Sequence, residues 1–172
     1  MVDMQRAFVA GPDAIPEASH VVAAVNRLIT LARDAEVLVV YLQNDGQIGT
    51  VDEPGSPGWA LASDPRADET VIRKREDDGF VETDLETMLR ERGVSTVVVC
   101  GVQSEMCVAA TARAAMSRGM TVVLPRDSHG TYPIPADGDN GVAVPASHAA
   151  RVAEWSLGDE VVAVDRCDQV SF

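Results

Sequence analysis

The hydrophobic positions along this chain follow two spacings, and each predicts a different kind of element. Between residues 19 and 33 the apolar residues recur every three to four positions, as in an amphipathic helix with one buried face. Elsewhere they form short runs rich in valine, which predict strands covered on both faces, as in parallel sheets. Strands are predicted at residues 37–43, 70–74, 96–101, 121–125 and 160–164.

End signals predict two further helices. Thr83 and Glu86 have the spacing of a capping box in TDLETMLRERG, and Gly93 supplies a C-terminal stop for that helix. Another helix is predicted at residues 145–156, between a loop and the last strand.

The order of these elements predicts the fold. Beginning with a short strand ahead of Asp3, the order is β-α-β-β-α-β-α-β-α-β. It predicts an α/β protein, a Rossmann-like three-layer α/β/α sandwich with a mostly parallel central sheet. Residues 44–69 and 128–143 are predicted loops, and a loop as long as the first is usually functional in a compact domain. Without an internal repeat or a domain-scale linker, residues 1–172 are predicted to form a single domain.

Composition and charge narrow the classes of function. The formal net charge of −13 argues against a nucleic-acid partner and is compatible with a neutral or cationic small molecule. Three cysteines without a framework spacing indicate reduced thiols. No run approaches the roughly 20 apolar residues of a membrane span, and residues 1–13 lack the core of a signal peptide. We therefore expect a cytoplasmic protein with no nucleic-acid or membrane partner.

Three residues with chemical potential follow predicted strands. In open α/β sheets, ligands bind beyond the carboxyl ends of the strands. Asp3 follows the first strand, Lys74 ends the strand at 70–74, and Cys107 follows the strand at 96–101. An acid, a lysine and a cysteine are thus predicted to converge at one edge of the sheet.

The three cysteines have different predicted roles. With Ser104 as N-cap, Cys107 lies in the first turn of a helix, where free N–H groups and the helix dipole stabilise a thiolate. The alternatives are a small buried apolar residue for Cys107 and a solvated strand-end side chain for Lys74. Cys100, inside a strand, is predicted to pack in the core, and Cys167 has no assigned role.

Three motifs carry a resemblance to a known family. They are VDMQRAF at 2–8, VIRKREDDGF at 71–80 and VVVCGVQSEMCVAATARAAMSRGMTVVLPRDSH at 97–129. In this order and spacing they resemble the isochorismatase-like cysteine hydrolases, which include nicotinamidase, N-carbamoylsarcosine amidohydrolase and isochorismatase. The resemblance covers nearly the whole chain. The loop LQNDGQIGTVDEPGSPGWAL at 42–61 is similar to that of the streptothricin hydrolases, which open a lactam amide in a cationic antibiotic.

The resemblance implies a metal-independent cysteine amidohydrolase without a cofactor, which cleaves a small-molecule amide or lactam through a thioester intermediate. In the implied catalytic triad, Asp3 takes the thiol proton, Lys74 holds the charge balance and Cys107 attacks the amide carbon. A non-proline cis peptide at Val102–Gln103 would turn the Gln103 N–H toward the site, where it forms an oxyanion hole with the Cys107 N–H. A streptothricin-type substrate would make this an antibiotic-resistance activity.

The resemblance also implies substrate contacts. Phe8, Trp59 and Phe80 are the predicted substrate-binding aromatics, with core packing as the alternative for Phe8 and Phe80. The acids that follow Lys74 either steer a cationic substrate or form a solvated turn. These acids are Glu76, Asp77 and Asp78. Nicotinamidases carry an aspartate-and-histidine metal site in the loop after the second strand, but residues 44–69 contain no histidine, so no metal is expected.

The sequence is also compatible with two alternative functions. One is hydrolysis of another small amide, of the nicotinamide or N-carbamoyl type; isochorismatase chemistry itself needs no cysteine. The other is a non-catalytic binding or assembly protein, which an Asp3 side chain beyond hydrogen-bond reach of Lys74 and Cys107 would favour. Only Met1 and Val2 precede Asp3, so we expect a shortened first strand or a start inside a longer reading frame. Because these folds are commonly oligomeric, a homodimer or larger homo-oligomer is expected.

Overall fold

The computed structural model of the protein describes residues 1–138 and 141–172, so the predicted loop at 128–143 lies in part outside the described residues. Within these described residues the chain forms the predicted α/β fold from seven strands and five α-helices. The strands are β1 (Val40–Asn44), β2 (Thr70–Lys74), β3 (Thr96–Val98), β4 (Gly101–Val102), β5 (Thr121–Pro125), β6 (His129–Gly130) and β7 (Val162–Val164). The helices are α1 (Arg6–Val9), α2 (Ala18–Asp34), α3 (Leu85–Glu91), α4 (Ala109–Ser117) and α5 (Ala146–Trp155).

The described strands pair in parallel, and Val2, near the start of the chain, links β1 to β4 at the centre of the sheet. β1 pairs with β2, β4 pairs with β6, and β5 lies between β3 and β7, all in parallel. Val2 forms parallel bridges to both Leu42 in β1 and Gly101 in β4. The first strand is therefore as short as expected. Gly101 has φ 126°, and a Cβ there would collide with the Val2 carbonyl oxygen, so only glycine fits beside this bridge.

Buried side chains on both faces of the sheet confirm the layered arrangement. The predicted strand at 96–101 is divided into β3 and β4 by Val99 and Cys100. Val99 packs with side chains of α3 and α4, whereas Cys100 packs with side chains of α2. Since successive residues of an extended chain point to opposite faces, helices cover both sides of this strand. Cys100 is 3% exposed, which confirms its predicted place in the core.

Of the two predicted end signals of α3, the C-terminal one is confirmed and the N-terminal one is not. Gly93, with φ 64°, follows the helix as predicted. The capping box is wrong. The Thr83 hydroxyl donates to the Gly79 carbonyl at 2.7 Å, and the Glu86 carboxylate is occupied by two arginines, Arg90 and Arg118, instead of reaching back to the first turn. Ion pairs of Glu86 with Arg90, one turn along the helix, and with the distant Arg118 thus take the place of the cap.

The described helices, taken one by one, do not reach the length and apolar character that crossing a membrane requires.

A carboxylate at the start of β2 ties this strand to its neighbours. Glu69 accepts hydrogen bonds from the Arg33 guanidinium of α2 at 2.7 and 2.8 Å and from the Tyr41 hydroxyl of β1 at 2.8 Å. The Arg66 N–H adds a fourth donor at 2.8 Å. The hydrogen bonds from Arg33 hold the pKa of Glu69 at about 2, although burial opposes this shift.

Glu69→Gln is expected to lower the free energy of unfolding at pH 7 by about 1–3 kcal/mol, because a neutral amide cannot accept both guanidinium bonds. The folded-state pKa is depressed from 4.5 to about 2. The stabilisation is therefore present above pH 4.5 and is lost as the pH falls through about 2. Urea unfolding across this range should show the two proteins converging at low pH. Glu86→Gln, which removes the charge of a half-buried carboxylate with two arginine partners, is the matched control, and an equal loss there would contradict the prediction.

Candidate active site

The structure brings the predicted acid, lysine and cysteine together at the carboxyl edge of the sheet. Lys74 is the last residue of β2, and its ammonium lies 2.8 Å from Asp3 Oδ2. The same ammonium lies 3.4 Å from Cys107 Sγ and donates to the Glu76 carbonyl at 3.1 Å. The side chains of Lys74 and Asp3 are 0% and 3% exposed, so this is a buried ion pair beside a thiol.

Asp3 is held in an uncommon backbone conformation. Its φ is 47°, in the left-handed region that aspartate tolerates better than most residues. Its N–H donates to the Leu42 carbonyl at 2.9 Å, which continues the Val2 bridge into the site. Lys74 occupies Oδ2, whereas the buried Oδ1 has no hydrogen-bond partner among the described residues. This oxygen is free to accept a proton.

Burial and charge determine the protonation state of the three groups. Burial raises the pKa of the Asp3 carboxyl above its usual value, against the pull of Lys74. Burial lowers the pKa of Lys74, but attraction to Asp3 and Cys107 outweighs it, so this pKa is raised. Burial and the Asp3 carboxylate raise the pKa of the Cys107 thiol, which Lys74 offsets only in part. At neutral pH the site therefore rests with an ammonium on Lys74 and a neutral thiol on Cys107.

The segment that carries Cys107 differs from the predicted capped helix. Ser104–Val108 is π-helical and precedes α4, with Met106 in a non-helical conformation (φ −102°, ψ −106°). Ser104 is not the N-cap: that position is Gln103, and the Ser104 hydroxyl lies 2.9 Å from His129 Nδ1. The expectation of a thiolate stabilised by a helix N-terminus is thus corrected, because the local helix is irregular and burial dominates the thiol.

The predicted cis peptide is present between Val102 and Gln103. Gln103 and Cys107 both line a cavity of about 300 Å³ that opens beside the ion pair. Phe8 also lines it, as predicted from the sequence.

Trp59 and Phe80 do not line this cavity. Phe80 is 6% exposed and packs in the core with α3 and α4, with the Arg118 guanidinium 4.5 Å from its ring. The Trp59 indole N–H donates to the Asp45 carboxylate at 3.0 Å. Arg73 lies 5.1 Å from the indole ring. The expectation that these two aromatics line the pocket is corrected: Phe80 packs in the core, and Trp59 contacts the cavity wall through Asp45.

Sequence reasoning missed several residues of the cavity wall. Most of them are polar or acidic. They are Asn44, Gln47, Thr50, Asp52, Arg75 and Met106. Asp52 is 7% exposed and accepts hydrogen bonds from Asn44 at 2.7 Å and Thr50 at 2.8 Å. Gln47, Thr50 and Asp52 come from an irregular loop without a periodic pattern. Asn44 ends β1 and Met106 lies in the π-helical segment, and the spacing of neither residue indicated the wall.

A larger cavity, of about 560 Å³, lies elsewhere and has mostly apolar walls from the first residues of β1 and β3 and from α2 and α3. Among the described residues that line it, the thiol is that of Cys100, whose pKa burial raises, and the charged side chain is that of Arg92. The described residues of this larger cavity do not place a nucleophile beside a base, so the smaller cavity is the candidate active site. Within residues 1–138 and 141–172, no three His, Cys, Asp or Glu side chains are arranged to hold a metal ion.

Fold and site together define an α/β protein with a cysteine-centred site at the carboxyl edge of a parallel sheet. Residues 1–154 match the sequence model of the Isochorismatase domain. The chain therefore belongs to the isochorismatase family of hydrolases.

Named relatives agree with this assignment. The chain is 52% identical over 174 residues to a streptothricin hydrolase from Streptomyces noursei; all of the chain aligns, and it spans 63% of that relative's length. The solved structure of an isochorismatase from Pseudomonas putida KT2440 superimposes with a TM-score of 0.90 at 25% identity, covering 99% of this chain and 88% of that one. A cysteine hydrolase from Pseudomonas syringae pv. phaseolicola 1448A has a TM-score of 0.84 at 26% identity, covering 95% and 85%.

Proposed function

We propose that the protein is a metal-independent cysteine amidohydrolase whose substrate is a streptothricin-type lactam. The observation that carries this proposal is one ammonium, that of Lys74, bonded to both the Asp3 carboxylate at 2.8 Å and the Cys107 sulfur at 3.4 Å. These three groups supply a base, a cation and a nucleophile at the wall of one cavity. The 52% identity to a streptothricin hydrolase supports the class of substrate.

Acylation begins from the neutral thiol. Cys107 Sγ attacks the amide carbon as its proton passes to Asp3, whose raised pKa makes it a better proton acceptor than an ordinary aspartate. The carbonyl π electrons move to oxygen and form an oxyanion. When the tetrahedral intermediate collapses, the C–N bond breaks, the nitrogen takes the proton from Asp3, and a thioester on Cys107 remains. Lys74 stays protonated throughout and limits the build-up of negative charge beside the sulfur.

The oxyanion is stabilised by the backbone N–H groups of Gln103 and Cys107, which line the same cavity. In the second half of the reaction a water gives its proton to Asp3 and adds to the thioester carbon. Collapse of this intermediate expels the sulfur, which regains its proton from Asp3 and leaves a carboxylic acid product.

The charges at the cavity support a cationic substrate. Of the described residues that line it, Asp3, Asp45, Asp52 and Asp77 contribute carboxylates and Arg75 contributes a cation. Lys74 neutralises the first, and Arg73 neutralises Asp45 at 2.7 Å. Asp52 and Asp77 have no cationic partner within salt-bridge distance among the described residues, and they would attract a cationic group of the substrate.

Intact-mass spectrometry of acid-quenched mixtures with streptothricin tests the proposal. For a lactam, the amine stays tethered to the acyl group, so we expect an adduct on Cys107 with the mass of the whole substrate and no released ammonia or amine. A linear amide would instead leave an acyl fragment and release an amine, which would point to the nicotinamide or N-carbamoyl alternative. No adduct and no turnover with any amide would favour the non-catalytic alternative, against which the 2.8 Å contact between Asp3 and Lys74 argues.

A further inference from the structure

A second cluster of buried polar side chains lies behind the residues that line the active-site cavity. The Ser104 hydroxyl is 2.9 Å from His129 Nδ1, and His129 Nε2 is 3.5 Å from Glu154 Oε1. Ser104 is 2% exposed, and the side chains of His129 and Glu154 are 1% and 7% exposed. None of the three lines the active-site cavity, so the cluster cannot itself touch a substrate.

The cluster connects three parts of the fold. Ser104 directly follows Gln103, at the start of the π-helical segment that carries Cys107. His129 belongs to β6, whose backbone pairs with β4 at Gly101. Glu154 belongs to α5 and is held by Arg126 at 3.0 Å.

The Glu154 carboxylate is ionised and restrains the side chains around it. Burial raises the pKa of its carboxyl, but the bonds from His129 and Arg126 outweigh burial and hold the pKa below its usual range. A buried carboxylate that stays ionised needs such partners, and it restrains their positions in return. One ring nitrogen of His129 is within hydrogen-bond distance of the Ser104 hydroxyl, and the other, Nε2, faces Glu154 at 3.5 Å without a hydrogen-bond partner among the described residues.

Glu105, the residue after Ser104, makes a second side-chain hydrogen bond to the region of β6. The Thr131 hydroxyl donates to Glu105 Oε1 at 2.8 Å. Two consecutive residues of the π-helical segment, Ser104 and Glu105, are therefore bonded to two residues of one neighbouring strand region, His129 and Thr131. In place of a helix cap, side chains from β6 and beyond define where this segment starts.

We propose that Ser104 and His129 are positioning residues, which fix the turn from Gln103 to Cys107 so that its N–H groups point at the developing oxyanion. This inference rests on the proposed function. It follows from placement: the Ser104 hydroxyl, on the residue next to Gln103, contacts His129, whereas Lys74 contacts Cys107 and Asp3 and shares no hydrogen bond with Ser104 or His129 among the described residues. Loss of this contact displaces the Gln103 N–H, which directly precedes Ser104, while Lys74 still holds Cys107 Sγ and Asp3.

The test compares two reactions of the same thiol. Amide hydrolysis forms an oxyanion, whereas alkylation of Cys107 by iodoacetamide needs only the thiolate. Ser104→Ala is expected to lower kcat for streptothricin by about 10- to 100-fold, because small displacements of reacting groups cost this much. KM and the alkylation rate should stay close to those of the wild type. Ser104→Thr keeps a hydroxyl and should recover most of kcat.

Two further variants complete the design. Thr131→Val removes the second bond while keeping the side-chain shape, and it should lower kcat in the same selective way by a smaller factor. Ser128→Ala is the matched control, since it removes another buried hydroxyl, which donates to the Pro125 carbonyl at 2.9 Å outside the turn. It should change stability without changing kcat. If Ser104→Ala does not fold, Thr131→Val carries the test.

The outcomes separate the positioning role from the function itself. An unchanged kcat in Ser104→Ala or Thr131→Val, or an equal fall in hydrolysis and alkylation, overturns the positioning role. Full hydrolysis by Cys107→Ala would instead overturn the proposed function. A selective loss of kcat in a protein whose Cys107→Ala variant is inactive supports both.

Discussion

Cys107→Ala is expected to abolish hydrolysis of streptothricin, with a loss in kcat of at least about 10⁴-fold, because it removes the cavity-lining thiol on which the proposed thioester forms. Initial rates with purified wild type and variant, together with intact mass, check this result. The variant should also show no acyl adduct. Iodoacetamide should label Cys107 in the wild type, and the rate should rise with pH because the resting group is a thiol whose pKa is raised.

Cys100→Ala is the matched control for the loss of a thiol. Cys100 is buried in the core among side chains of α2, away from the candidate active site, so this change should cost some stability and leave kcat in place. Substantial hydrolysis by Cys107→Ala, or an adduct mapped to Cys100 or Cys167, would rule out Cys107 as the nucleophile.

Asp3→Asn should have the second-largest effect, a fall in kcat of about 10²- to 10⁴-fold, because the proposed base is lost. Asp77, whose Oδ1 accepts a hydrogen bond from the Cys107 thiol at 3.4 Å, then remains as an acceptor, but it lacks the contact with Lys74 that Asp3 has. The wild type should lose kcat/KM as the pH falls through the pKa of Asp3, since only the carboxylate acts as a base. Burial raises this pKa, so the loss begins at a higher pH than for an ordinary aspartate. In Asp3→Asn, the remaining activity should lack this acidic limb.

Asp127→Asn serves as the control for Asp3→Asn. The Asp127 carboxylate accepts a bond from the Cys167 N–H at 2.8 Å and is not among the residues that line the candidate cavity. The pH profile of this variant should match that of the wild type. A profile for Asp3→Asn that keeps the acidic limb would assign the base to another group.

Much of the fold could be read from local patterns. The valine-rich runs and the amphipathic spacing of α2 predicted the element order, and β2 and β5 have the predicted bounds. These patterns depend on neighbouring residues only, since a strand or a helix face repeats within a few positions. Strand ends also indicated the site, because the carboxyl edges of parallel strands meet. Asp3, Lys74 and Cys107 could therefore be predicted to converge.

The cavity wall could not be predicted in the same way. Phe80 and Trp59 lie within segments that resemble the family. In the structure, however, Phe80 packs against Arg118 in the core and Trp59 donates a hydrogen bond to Asp45. Asp52 reaches the cavity from a loop without periodicity. Which loop side chains reach the site depends on how distant segments of the chain pack. Spacing along the sequence carries no information about this packing.

The sequence by itself determined the element order, the place of Lys74 at a strand end and the presence of a thiol close behind another strand, because each depends on local spacing. Only the tertiary structure decided the chemical state of that thiol. Burial and the Asp3 carboxylate raise its pKa, and both come from chain segments far apart in sequence. Likewise the Ser104 hydroxyl, which looks like a helix cap, is instead bonded to His129, because the pairing of β4 with β6 brings that imidazole within 2.9 Å.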